Sequence, residues 1–143
     1  MTSTEPEPMM LSPRIEILDD DECLQLLSRQ PIGRIALTSG ALPVVLPVNF
    51  VAMDHTIVFA SEPGLKLHAA RARQIACFEV DGYDVHDHSG WSVLATGQLS
   101  EIQDPDRLKA AHRLPLSPWA ISQPGHFVEL PIELLSGRRI RRP

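Results

Sequence analysis

The residues whose types and spacing can do chemistry gather between Thr56 and Arg73. Ile57, Val58 and Phe59 form a short apolar run with β-branched members, the mark of a strand. Ser61-Glu62-Pro63-Gly64 breaks it, since proline fixes one dihedral and glycine permits unusual ones. Leu65, Ala69 and Ala72 then recur at a spacing that shares one helix face. A strand that stops at a Ser/Gly turn and feeds a helix carrying Lys66 is a candidate anion site. Ser61 offers a hydroxyl, Lys66 a charge, and the helix start its unpaired N–H groups. Taken alone, the same residues also describe an ordinary capped surface helix, and both readings stay open at this point.

Other groups invite chemistry less. His86-Asp87-His88 has metal-capable side chains, but a loop sends the two rings to different sides and no third ligand is spaced nearby, so no metal is expected. Arg138, Arg139, Arg141 and Arg142 make a basic end on a chain whose net charge is −5. That balance argues against nucleic acid as a partner. Cys23 and Cys77 sit in apolar or helical contexts without a CxxC spacing, as buried thiols of a reducing compartment do. Serine-hydrolase, P-loop and dinucleotide-fold signatures are absent.

The elements that must position these residues follow from pattern. The chain has 143 residues, 43% hydrophobic and 22% charged. That suffices for one domain burying roughly two-thirds of its unfolded surface. Residues 1–14 read as a disordered tail without the apolar core of a signal peptide, and 15–143 as a single domain. No apolar run spans a membrane, so no membrane partner and a cytoplasmic location are expected. Asp19 and Glu22 have capping-box spacing ahead of a Cys23, Leu26, Leu27 stripe. Strands are expected at Gly33–Thr38, Leu42–Ala52, Thr56–Ala60, Gln74–Asp81 and Gly90–Gln103, with one or two more in His126–Ile140. Pro43 and Pro47 put the second strand at an edge or give it an irregularity that frees backbone groups for a ligand. Gly97 marks an expected bulge or bend, Gly82–Ser89 a loop, and Gly137 a separator before the last arginines. Asp104 and Pro105 open a further helix. Leu114–Gly125 reads as irregular, with Trp119 as a core or interface plug. Strands outnumber helices and their connections are short, which predicts a small antiparallel barrel with peripheral helices.

Four stretches in order carry a resemblance. They are Leu46-Pro47-Val48-Asn49-Phe50; Phe59 with the Ser61/Gly64/Lys66 turn; Ala76-Cys77-Phe78-Glu79-Val80-Asp81; and Gly90-Trp91-Ser92-Val93 with Gly97. Together with Ser136-Gly137-Arg138-Arg139-Ile140 they resemble the pyridoxamine 5′-phosphate oxidase-like flavoproteins, in the short actinobacterial, nitroimidazole-reductase-like branch. The resemblance implies a mainly β fold, a split β-barrel forming a homodimer, with FMN in a groove at the dimer interface. It implies that Ser61 and Lys66 hold the flavin phosphate while Gly64 allows close approach. Pro47, Val48 and Asn49 would lie along the isoalloxazine ring, with Trp91 near the interface. The implied activity is an oxidoreductase moving hydride or electrons to a small organic acceptor, with no catalytic side chain named. Alternatives within the resemblance are a reductase using the deazaflavin coenzyme F-420 and a non-catalytic flavin carrier. One departure bears on chemistry: nitroimidazole-reducing relatives carry a histidine beside the phenylalanine of the third strand, where Ala60 follows Phe59 here.

Overall fold

A computed structural model of the chain describes residues 14–116 and 125–142. Of the expected tail over residues 1–14, residues 1–13 fall outside these residues, as does Trp119, while Arg14 opens the first strand. Ten strands and three helices follow one another as β1 (Arg14–Ile17), α1 (Asp20–Leu27), β2 (Ile32–Ser39), β3 (Leu42–Asn49), β4 (Val51–Met53), β5 (Thr56–Ser61), α2 (Leu65–Arg71), β6 (Ile75–Asp84), β7 (Ser89–Gln98), β8 (Ser100–Glu101), α3 (Pro105–His112), β9 (His126–Pro131) and β10 (Leu134–Arg141). They build two antiparallel sheets. One has six strands in the order β1-β10-β7-β6-β2-β3, the other four in the order β4-β5-β9-β8. The chain changes sheet four times: at Phe50 between β3 and β4, through α2 between β5 and β6, at Leu99 between β7 and β8, and between β9 and β10. Phe50 and Leu99 are buried, which anchors those two crossings in the core. The result is a split β-barrel. No helix among the described residues is long and apolar enough to cross a membrane.

The main core fills the barrel. Ile35, Phe59, Phe78, Val80, Val93, Ala95 and Leu130 are buried in it, and α1 adds Cys23, Leu26 and Leu27. Full burial of such aliphatic and aromatic side chains stabilises by roughly 1.5–3 kcal/mol each. The α1 stripe is held in register by the expected capping box: the Glu22 N–H donates to Asp19 Oδ1 at 2.9 Å, and the Asp19 N–H reaches Glu22 Oε2 at 3.4 Å. A second apolar cluster lies under α3, with Val58, Ile102, Ala111 and Phe127. Strands β5 and β9 stand between the two clusters and are buried on both faces. This explains why Ile57-Val58-Phe59 reads as a continuous apolar run.

Several expectations are corrected. β3 does lie at an edge, and the interruption also exists, but it falls at Phe50 beyond both prolines. Gly97 makes no bulge, because β6 and β7 pair without a break from Ile75↔Gln98 to Asp84↔Ser89. Its lack of a side chain serves close approach: a Cβ there would stand 2.1 Å from the Pro131 carbonyl oxygen. The long strand is broken at Leu99, where it changes sheets. The expected 82–89 loop is shorter, since both strands of the hairpin extend into it and Asp84 Oδ1 accepts from the N–H groups of His86 and Asp87. Gly137 separates nothing. It lies inside β10 opposite Val93, where a Cβ would meet Cys23 Sγ at 2.5 Å. Strand β1 was not expected, because its four residues are polar or exposed and it is held by pairing with β10 rather than by burial.

Candidate functional site

The strand–turn–helix over Ser61, Gly64 and Lys66 forms as the sequence predicts, in a different detail. Ser61 ends β5 and is fully buried, and its Oγ donates to the Glu62 carbonyl at 2.8 Å. That proton is therefore committed locally. Gly64 precedes α2 with φ 164°, ψ −157°, an extended backbone open to any residue, so its conformational freedom is not used. What it leaves is room: among the described residues, no atom beyond its own chain neighbours lies within 4 Å of the place its Cβ would take. Helix α2 is a single short piece of seven residues, Leu65–Arg71, without a side-chain cap. Lys66, in its first turn, is half-buried. Desolvation lowers its pKa, against a weaker opposing pull from Glu62. Among the described residues Lys66 makes no ion pair, and Glu62 is the charge that acts on it.

Pro47, Val48 and Asn49 follow one another on β3 but do not share a face. Val48 pairs with Gly33 and points into the core, while Pro47, opposite Arg34, and Asn49, opposite Ile32, turn to the outer face. Helix α2 packs on β2, the only strand paired with β3 among the described residues, and so stands one strand away from this stretch. Trp91 is farther. In the order β7-β6-β2-β3 it lies three strand spacings from Pro47–Asn49, roughly 14 Å. Its indole lies over Gly82, where a Cβ would stand 2.7 Å from Nε1, at the rim of a cleft of about 390 Å³ that also has Tyr83, Gln30 and Arg139 in its walls. One chain thus brings Ser61, Gly64 and Lys66 together, sets Pro47–Asn49 nearby, and leaves Trp91 apart.

Sequence reasoning missed two charged groupings. On the outer face of the six-stranded sheet, Arg34 Nη1 lies 3.3 Å from Glu79 Oε1 and 2.9 Å from Asp81 Oδ2. Burial and the neighbouring Asp81 push the Glu79 carboxyl up to about 7, against the pull of Arg34. At the end of the four-stranded sheet, Arg71 Nε lies 3.0 Å from Glu101 Oε1, and His126 Nδ1 lies 2.8 Å from Glu101 Oε2. These two partners hold the Glu101 carboxyl below its ordinary range, Arg71 most strongly. His126 pairs directly with Ser61 across β9 and β5. Neither grouping leaves a local signal, since the members of each are 25 to 47 residues apart or related only by strand register. A third pair, Arg107 with the buried Glu129, ties α3 to β9 beneath the second apolar cluster. The His86-Asp87-His88 side chains are exposed, and Arg139 and Arg141 pair with Glu16 at 3.7 and 3.3 Å.

The architecture defines a class, the split β-barrel, and comparison with known proteins defines the family within it. Residues 19–139 match the family model described as pyridoxamine 5′-phosphate oxidase, and the chain belongs to that family. An uncharacterised protein of Mycobacterium tuberculosis is 32% identical over 128 residues, covering 86% of this chain and 84% of its own. Among solved structures, the FAD binding protein from Mycobacterium smegmatis is 32% identical with a TM-score of 0.72, covering 88% of this chain and 98% of that one. A FAD-binding protein from Mesorhizobium loti superposes with a TM-score of 0.79 at 24% identity, covering 91% and 99%, and supports the fold.

Proposed function

We propose that the chain is a flavin-dependent oxidoreductase that holds FMN at the interface of a homodimer and passes hydride or electrons to a small organic acceptor. The observation that carries this reading is Lys66: half-buried, without an ion-pair partner among the described residues, and set beside the open space at Gly64. A desolvated cation next to room for a ligand fits a phosphate, which lysine meets with charge-assisted hydrogen bonds. Pro47 and Asn49, on the outer face of an edge strand, supply a wall for a flat ring, and Trp91 of a partner subunit is the wall that one chain does not supply. The flavin itself supplies the redox chemistry, and the chain binds, orients and excludes water. A second reading of the cofactor, FAD, is favoured by the FAD binding protein from Mycobacterium smegmatis, to which this chain is 32% identical.

The test is the visible spectrum of the purified protein after incubation with FMN or FAD and gel filtration. Retained flavin bands, with FMN affinity falling tenfold or more in Lys66→Ala, are expected; tenfold is about 1.4 kcal/mol, close to the lower end of the roughly 1.5–3 kcal/mol of one hydrogen bond to a charged group. Retention of coenzyme F-420 and neither flavin would replace this reading with a deazaflavin-dependent reductase. Tight flavin binding without turnover by any nicotinamide donor would leave a carrier.

A further inference from the structure

Helix α3 is held differently from the other two helices. α1 and α2 pack closely on the strands, whereas α3 stands off them and buries only Ala111. Its polar tie to the four-stranded sheet is the Arg107–Glu129 pair. The gap this leaves is a cavity of about 260 Å³ between α3 and the face of β5 and β9 that carries Val58 and Glu129. Val58, Ile102, Ala111 and Leu114 give it apolar walls, and Met53 and Thr56 bound it at the β4–β5 turn.

Volume sets the size of an occupant. An apolar protein cavity of about 150 Å³ takes up benzene, so this one has room for a fused two-ring molecule of about ten non-hydrogen atoms. The polar groups set its chemistry. Glu129 is buried and its oxygens are engaged: Oε1 accepts from Arg107 Nη1 at 3.0 Å and from Ser100 Oγ at 3.4 Å, and Oε2 accepts from Arg107 Nη2. Thr56 donates its hydroxyl proton to the Asp54 carbonyl at 3.4 Å. Arg107 gives two of its five N–H groups to Glu129 and keeps three. Donors are thus the groups left open to a ligand. Glu129 and the exposed Asp54 set two carboxylates against one guanidinium in the lining, which opposes an anion.

We propose that this cavity is a binding site for a small, neutral, apolar carbonyl compound, with its rings against Val58, Ile102 and Leu114 and its oxygen accepting from Arg107. Glu129 holds the guanidinium in place and balances its charge, so the site selects a carbonyl dipole over a carboxylate. An apolar pocket with one placed polar group is the usual form of a small-molecule site. All of its lining comes from one chain, so it stands whether or not a flavin binds.

The test is calorimetric titration of the purified protein with three molecules of similar size: 1-tetralone, tetralin, which lacks the oxygen, and 1-naphthoate, which is charged. 1-Tetralone should bind about fivefold or more tighter than tetralin, and 1-naphthoate weakest. Ala110 lines the cavity from the exposed side of α3, so Ala110→Trp should fill it, keep the circular dichroism spectrum of the wild type and abolish binding. Replacing the pair as a unit, Arg107→Met with Glu129→Met, leaves no unpaired buried charge. That variant should keep its affinity for tetralin and lose the preference for 1-tetralone. Absence of binding to the wild type, equal affinity for 1-tetralone and tetralin, or a preference for 1-naphthoate would each overturn the proposal. So would unaltered binding in Ala110→Trp, which would put the ligand elsewhere.

Discussion

At the scale of single residues, charge placement decides behaviour more than residue identity does. Arg34, Glu79 and Asp81 put two carboxylates against one guanidinium on the outer sheet face. With its pKa raised to about 7 in the folded chain, Glu79 keeps its proton at pH values where the unfolded chain has lost it. Between pH 4.5 and 7 the folded state therefore binds more protons, and stability falls as pH rises through that window. Thermal unfolding should show a midpoint that declines from pH 4.5 to 7, and Glu79→Gln should remove that part of the slope. An unaltered slope in the variant would assign it elsewhere. Lys66 was legible in the sequence because a Ser/Gly turn and a lysine are local. The partners of Glu79 and His126 were not, because register joins them across the barrel and no spacing along the chain records it.

Elements were read well where local chemistry sets them. The α1 capping box, the Asp104 cap with Pro105 behind it, and the alternation of Ala76, Phe78 and Val80 all appear in the fold as expected. Glycines were read poorly, since turn logic was applied where packing was the cause. Gly97 sits in an unbroken ladder with the Pro131 carbonyl against it, and Gly137 sits in another with the Cys23 sulfur against it. Gly97→Ala should cost on the order of 3 kcal/mol, seen as a lower urea midpoint, because the obstacle is backbone and cannot rotate aside. Gly137→Ala meets a side chain on α1 and should cost less. The reverse order would mean that β9 yields more easily than α1. Strand β1 escaped notice for the opposite reason: hydrogen bonds to β10 hold it, and its composition shows no burial.

At the scale of the whole molecule, the outer face of the six-stranded sheet is the feature in want of a neighbour. Ile15, Ile17, Tyr83, Leu94 and Ile140 stand exposed on it around the Arg34–Glu79–Asp81 cluster. Such a patch is a candidate for contact between two copies, as the homodimer of the proposed function requires. Light scattering should give twice the chain mass. Leu94→Arg should give a monomer that stays folded, since the new cation stands opposite Glu79, and the monomer should lose flavin. A dimeric Leu94→Arg protein would place the interface on another face.

The strand order also has a consequence for synthesis. β9 lies inside the four-stranded sheet between β5 and β8, and β10 lies inside the six-stranded sheet between β1 and β7. A nascent chain that has emerged only to residue 125 therefore holds two sheets, each lacking an inner strand. The apolar flanks of β5 and β7 stay open until residues 126–141 leave the ribosome. Vectorial folding of this barrel is thus a waiting problem. Its exposure to mispairing and to chaperones is concentrated in the seconds before those sixteen residues arrive.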